Sequence, residues 1–486
     1  MNKLDEANSN GFVLVSYQDN EFNVPFLEDS ISPNQTNISI IIGPNGSGKS
    51  RALSRVVDEL RYLNAVINQT DSTNLRHKEM PEEAIINYKI DGKNCCIHRK
   101  GLGVMTLSCL IDGKPTDLIE MPLPTRVATV SHLANDKFRF SNNDEPFYRY
   151  LGLRQASNLT TTGAIETKVI QSLINGFSEH GDEFEKQVNS WLSLAGFDQG
   201  AHISFELSSL DLLSEDFDLV YRSIRDSDKR RSPNSLATEK RFKRDVSAIH
   251  SLLSTLKYFQ AVDGRIFRLS LSFFKSPDTS VPWSQGLMAA RRWRIFKNLS
   301  LSFSRRNNFH DFSELSSGEQ QLIGTSARLL AELTPYSLVI IDEPEVNLHP
   351  QWQINYIPYL RRSLKNILAT HVVIATHSHF MISDLDKESS SLIVANGDSG
   401  YHFKLFDGDV YGRSPENILY RVFGVATTGN MYVENDLRTA LQMISGTEPK
   451  DEKELKSIYS RLKMVGGSDN VAMNIILKRI SSQIMD

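Results

Sequence analysis

Gly43-Pro44-Asn45-Gly46-Ser47-Gly48-Lys49-Ser50 combines two groups that phosphate chemistry needs, a glycine-rich backbone and a cation. Glycines allow successive N–H groups to turn inward on phosphate oxygens at a helix N-terminus, where the aligned peptide dipoles add to the attraction. Lys49 has the reach for β- and γ-phosphate oxygens, the Ser50 hydroxyl suits Mg²⁺, and Arg51 opens the following turn. ATP with Mg²⁺ is therefore the expected ligand pair; the bland alternative is a glycine-rich turn. Leu338-Val339-Ile340-Ile341-Asp342-Glu343 ends an apolar run in two carboxylates. Asp342 suits the hydrated metal and Glu343 the attacking water, which it would orient or deprotonate. Alone, such a pair caps a helix more often than it catalyses.

Both motifs need buried strands to hold them. Ile38-Ser39-Ile40-Ile41-Ile42 predicts a strand running straight into the glycines, and Arg51 to Val56 is compatible with a helix after them. Leu338 to Ile341 and Val372-Val373-Ile374-Ala375 read as buried parallel strands around a helical stretch from Pro350 to Lys365. Asp91-Gly92 and Asp112-Gly113 separate apolar runs in the way of antiparallel hairpins, so a β lobe is expected between Ala84 and Met121. Fourfold spacing of Ile165, Val169, Leu173 and Phe177 makes the block from about Thr162 to Phe259 mostly helical, with Arg225 to Ser235 an exposed loop. Ser414-Pro415-Glu416 has the cap, proline and acidic first turn of a helical tail.

Two further motifs follow the same logic. Leu315-Ser316-Ser317-Gly318-Glu319-Gln320 precedes a helix-forming run and offers a second N-terminus for an anion, or else an ordinary capped helix. Ala375-Thr376-His377-Ser378 sets a histidine at a strand end, where the plainer role is a satisfied polar residue.

The order of the four motifs resembles that of ABC-type ATPases, the class of transporters, SMC-type chromosome proteins and repair ATPases. The resemblance implies an α/β head, made of a mixed and antiparallel β lobe and a parallel P-loop sheet core, with a helical insertion and a helical tail. It divides the chain into 1–160 (phosphate loop and β lobe), 161–262 (helical insertion), 263–400 (remainder of the head) and 401–486 (helical assembly or partner-docking region). It also implies that Ser316, Ser317, Gly318 and Glu319 bind the γ-phosphate held by a second copy of the chain, and that His377 touches the same phosphate. Ser317 stands where glycine is usual. The glutamine of the lobe-connecting loop is absent between Met121 and Phe140, where Val127 to Phe138 takes its place, and the magnesium contact there is unassigned.

Glu343-Pro344-Glu345-Val346-Asn347-Leu348-His349-Pro350 resembles the soluble prokaryotic branch, which includes OLD-family nucleases and antiphage ATPases, and argues against transport. The segments Ser131 to Phe138, Tyr148 to Arg154, Glu416 to Val425 and Thr427 to Asn430 are similar to the PtuA ATPases of Septu and related retron defence systems. That likeness implies a homo-oligomeric ATPase working with an HNH-type nuclease subunit, PtuB, against phage, the complex and not this chain cutting nucleic acid. A self-sufficient OLD-like nuclease is the first competitor, with Asp407-Gly408-Asp409 as its one late metal candidate, although the central glycine reads better as a β-turn. An ATP-gated DNA-binding protein is the second.

Composition limits the remaining classes. The 486 residues include 54 Lys and Arg against 58 Asp and Glu, a net charge of -4, so nucleic acid would have to meet local patches and not an overall basic field. Arg291-Arg292-Trp293-Arg294 with Lys297, Arg305-Arg306 and Lys240-Arg241-Phe242-Lys243-Arg244 are such patches, Trp293 being the candidate base-stacker; solvated helix faces are the plainer reading. Three cysteines make no disulfide framework or zinc knuckle, which points to a reducing compartment. With no export pattern at Met1 to Glu6 and no membrane-length apolar run, the expected location is the cytoplasm.

Overall fold

Every residue from Asn37 to Ile42 is buried, as a strand covered on both faces must be. In a computed structural model the described residues are 11–27, 36–69, 80–101, 106–133, 135–140, 145–152, 162–227, 236–256, 262–271, 274, 283–365, 370–382, 385, 389–397, 400–406, 431–447, 449–465 and 471–485. The chain runs through strands β1 (Phe12–Asp19), β2 (Asn23–Pro25) and β3 (Asn37–Ile42) into helix α1 (Lys49–Ile67). There follow β4 (Glu83–Ile90), β5 (Lys93–Lys100), β6 (Thr106–Ile111), β7 (Lys114–Thr116), β8 (Val127–Ser131) and β9 (Tyr148–Tyr150). The middle holds α2 (Thr162–Leu194), β10 (Ala201–Leu207), α3 (Phe217–Ser227), α4 (Leu236–Leu256), β11 (Ile266–Ser270), α5 (Trp283–Arg292), β12 (Phe296–Arg305) and β13 (Asn308–Asp311). Then come α6 (Ser317–Glu332), β14 (Leu338–Asp342), α7 (Pro350–Leu364), β15 (His371–Thr376), β16 (Ser390–Asn396) and β17 (His402–Leu405). Helices α8 (Met431–Ser445), α9 (Glu452–Val465) and α10 (Val471–Met485) close the described chain. The fold is mixed α/β.

Two compact units divide it. One comprises Met1–Leu123, Gln353–Pro358 and Leu368–Asp486, the other Pro124–Trp352 and Tyr359–Ile367. In the first, β2-β1-β4-β5-β6-β7 form an antiparallel sheet whose hairpins turn at Asp91-Gly92 and Asp112-Gly113, all four residues at positive φ as two-residue hairpin loops require. Strand β3 pairs in parallel with β15 and β16, with β17 antiparallel on β16. The buried Arg99 of β5 clamps Glu59 of α1 through Nε and Nη2 at 2.7 and 2.8 Å, tying the phosphate-loop helix to the antiparallel sheet. Helices α8 to α10 surround a core of their own that includes Ala440, Leu455, Leu462 and Ile480.

In the second unit β14 pairs in parallel with β8, Asp342 opposite Ser131, and β8 in parallel with β9. The same unit holds an antiparallel sheet, β11-β10-β12-β13. Helix α2 bends at Gly181, where φ is 54° and ψ -128°, and packs along α6. The middle block is mostly helical, as expected, and strand β10 interrupts it: Ala201, Ile203, Phe205 and Leu207 alternate inward, and Phe205 stacks on Phe296 at 4.0 Å. Arg225 to Ser227, expected in a loop, complete α3, while 228–235 and the expected helix start at Ser414 lie outside the described residues. Among the described residues no helix is long and apolar enough to cross a membrane.

Candidate nucleotide site

The first unit places the glycine loop between β3 and α1. Helix α1 begins after Gly48, whose φ of 86° is left-handed, with no side-chain cap and no acidic residue in its first turn. A β-carbon on Gly43 would lie 2.2 Å from the Ala395 carbonyl oxygen, and one on Gly48 2.6 Å from Tyr401 Cδ1. Only glycine admits so close a wall of backbone and ring. Gly46, at φ 81°, also needs its backbone freedom. The Ser47 hydroxyl is buried and has no hydrogen-bond partner among the described residues, leaving a donor free for an anion.

Lys49 is buried and its Nζ donates to the carbonyls of Gly43 and Pro44 at 3.0 and 3.2 Å. The same ammonium lies 3.0 Å from His377 Nε2, at the tip of β15. An ammonium donates, so this imidazole nitrogen is its acceptor. The structure thus brings Lys49 and His377 together across a long stretch of sequence. Arg51 is engaged elsewhere: its guanidinium meets both Glu21 carboxylate oxygens at 2.7 and 2.9 Å and the Tyr401 hydroxyl at 2.7 Å. Phe22 stacks on Tyr401 at 5.0 Å beneath it. Glu21, Phe22 and Tyr401 border the loop without belonging to any motif, so nothing in their local sequence marked them.

The second unit places the carboxylates and the Ser316 corner. Asp342 is wholly buried at the tip of β14, its carbonyl accepting from the His132 N–H at 3.4 Å. Glu343 follows at φ 51°, a left-handed conformation that a non-glycine residue adopts only when its surroundings enforce it. The turn beyond it is bound to α6. Gln321 Nε2 donates to the Pro344 carbonyl at 3.2 Å, and a β-carbon on Gly318 would lie 2.4 Å from the Asn347 carbonyl oxygen.

At the start of α6, Ser316 and Glu319 form a capping box. The Glu319 N–H donates to Ser316 Oγ at 3.3 Å, and the Ser316 N–H and hydroxyl donate to Glu319 Oε2 at 2.9 and 2.8 Å. Arg305 pairs with the other carboxylate oxygen, Oε1. Burial acts to raise the Glu319 pKa, but the Arg305 bridge and the bonds from Ser316 outweigh it and hold the carboxyl below its usual range. Ser317 and Gly318 supply the remaining first-turn amides.

Hard oxygens suit magnesium, which keeps several waters and takes few protein ligands. In the first unit the Ser50 hydroxyl has that chemistry, in the second the Asp342 carboxylate does, and among the described residues no group of three or more His, Cys, Asp or Glu could hold a metal ion. In the basic patches, Trp293 donates its Nε1–H to Asp245 at 3.1 Å and packs edge-on to Phe242 at 4.7 Å. Asp407 to Asp409 and Glu416 to Asn430 lie outside the described residues.

Residues 155–383 match the family described as AAA domain, putative AbiEii toxin, Type IV TA system. The matched stretch contains the Ser316 corner, the carboxylates and His377, but not the glycine loop. The chain is similar to the Retron Ec83 probable ATPase of Escherichia coli, 33% identical over 139 residues that cover 26% of this chain and 24% of that relative. It is also similar to the Retron Vc95 probable ATPase of Vibrio cholerae serotype O1 biovar El Tor, 22% identical over 431 residues, 81% of this chain and 76% of that one. Among solved structures, the SMC head domain from Thermotoga maritima aligns with a TM-score of 0.37 at 12% identity, covering 82% of this chain and 99% of that one.

Proposed function

We propose that this chain, an ABC-type ATPase, binds and hydrolyses Mg·ATP between two copies of itself. The observation that carries this reading is the N-terminus of α1, which has no side-chain cap and sets the Lys49 ammonium beside His377. That corner suits the β- and γ-phosphates, with Ser50 and Asp342 supplying oxygens for the metal. A magnesium ion held there would offset the charge on the phosphate oxygens. Glu343 orients the attacking water and accepts its proton, and His377 donates a hydrogen bond to the γ-phosphate once Lys49 has turned to the nucleotide. Ser316 to Glu319 of the second copy close over the phosphate from the other side.

In the finer reading, the ATPase regulates an HNH-type nuclease in antiphage defence, docked through the helical insertion or α8 to α10. Two relatives named as retron probable ATPases support its ATPase part, and the PtuA-like segments support the partner. The deciding experiment compares Glu343→Gln with the parent protein. The variant is expected to bind ATP with unchanged affinity and to hydrolyse it at least about 100-fold more slowly; turnover at the parent rate removes Glu343 from its role. Co-expression with an HNH nuclease from the neighbouring reading frame, followed by co-purification and phage plating, tests the finer reading. DNA cleavage by the purified chain alone, lost in Asp407→Ala, would replace it with the OLD-like alternative.

A further inference from the structure

Arg305, the last residue of β12, reaches two places at once. One is the Glu319 carboxylate at the start of α6. The other is the C-terminal end of α2: Arg305 Nε donates to the Gly196 carbonyl at 3.2 Å and Nη2 to the Ala195 carbonyl at 3.0 Å. Phe197, which bonds back to the Leu192 carbonyl at 2.9 Å and closes that helix end, lies flat beneath the guanidinium, 3.8 Å from ring centre to Cζ. Ser304 and Asp198 lock the neighbouring backbone through bonds of 2.7 and 2.8 Å. Arg305 therefore joins the negative end of one helix to a carboxylate seated on the positive end of another.

The seat matters because Glu319 already holds what a phosphate would take. The Ser316 hydroxyl proton is directed at Glu319 Oε2. An ionised carboxylate at that distance repels an incoming γ-phosphate unless its charge is compensated, and Arg305 compensates it.

On the reading of the Ser316 corner given above, we infer that Arg305 is a positioning residue for it: the guanidinium neutralises Glu319 and fastens it to the Ala195–Phe197 turn, so that displacement of the turn changes how well the corner accepts phosphate. The turn ends the long helix of the insertion. A protein docked on α2 thus acquires a direct route to ATP-driven closure, without touching the nucleotide.

The test uses full-length protein carrying Glu343→Gln, with Mg·ATP-driven association followed by sedimentation velocity. Arg305→Ala in that background is expected to raise the ATP concentration for half-association about 10-fold, while binding of a fluorescent ATP analogue to dilute protein stays within about twofold. Adding Glu319→Gln, which removes the charge and keeps the cap, restores association to within about threefold of the background protein. Arg305→Lys, which keeps the charge and loses the fork, falls between the two and remains informative should Arg305→Ala not fold. A purely structural Arg305 would leave the double variant as impaired as the single one, and that result overturns the inference, as does parental association by Arg305→Ala. Absence of any ATP-driven association in the Glu343→Gln background overturns the two-copy site itself, a distinguishable failure.

Discussion

The two loop-to-helix corners of this protein are built on opposite plans. Helix α1 starts bare, with a left-handed glycine, no side-chain cap and no acid in its first turn. Helix α6 starts closed, its cap hydroxyl and N-terminal amide engaged by Glu319. A helix start with no side-chain cap keeps its dipole for an anion and forgoes the about 1 kcal/mol that a cap contributes. A closed one is stable alone and has to be opened or neutralised before it can bind. The contrast suits a sequence of events in which nucleotide loads on the first corner and the second responds to conditions elsewhere.

The contrast can be broken most severely at Lys49. Lys49→Ala removes the only buried ammonium in the described part of the glycine loop and should weaken ATP binding at least about 100-fold by calorimetry. Gly318→Ala comes next. Its new β-carbon meets backbone, the Asn347 carbonyl at 2.4 Å, which cannot rotate away, so about 2 kcal/mol of stability should be lost in urea unfolding. Gly46→Ala is the matched control in the other corner: nothing lies within 4 Å, leaving the strain of a positive φ alone, about 1 kcal/mol.

Acid offers a subtler comparison. Burial pushes His371 down to about 3, and burial with the nearby Arg328 does the same to His132. The first is in the glycine-loop unit and is well partnered, accepting from the Leu14 N–H at 3.0 Å and meeting Ser39 Oγ at 2.8 Å. The second is in the α6 unit, with both ring nitrogens buried and unpartnered among the described residues. Each has a folded pKa below that of free histidine, so the unfolded chain takes up the proton first as pH falls. Their stabilisation is complete above about pH 6.5 and is lost toward pH 3. At pH 5.5 each imidazole should account for about 1 kcal/mol of lost stability. Thermal melts of His132→Leu between pH 7.5 and 5 should show a shallower acid decline than the parent. Ser316→Ala has the smallest effect expected, about 1 kcal/mol from the lost cap, read as a modest drop in melting temperature.

Much of the nucleotide corner was legible because its chemistry is written in consecutive residues. A phosphate loop works through adjacent backbone amides, so Gly43 to Ser50 announces itself, and the buried strands at Ile38 and Leu338 appear as unbroken apolar runs. Hairpins at Asp91-Gly92 and Asp112-Gly113 were equally plain, since their turn geometry demands those residues. Strand β10 was missed within a helical neighbourhood, although Ala201, Ile203, Phe205 and Leu207 alternate as a half-buried strand should. The partners of Arg51 left no such trace. Glu21 and Tyr401 come from opposite ends of the chain, and neither has a local pattern of its own.

Residue types and their order thus set the ligand class and the chemistry each group can perform, because phosphate cradles, metal oxygens and helix caps depend on short-range covalent geometry. Folding in three dimensions assigned each group its state. It turned Lys49 toward His377, drew Glu319 onto Ser316 and let Arg305 span from that cap to the end of α2. These contacts depend on side chains brought together through packing of separate elements, and no periodicity or spacing along a chain encodes which of several arginines will meet which carboxylate.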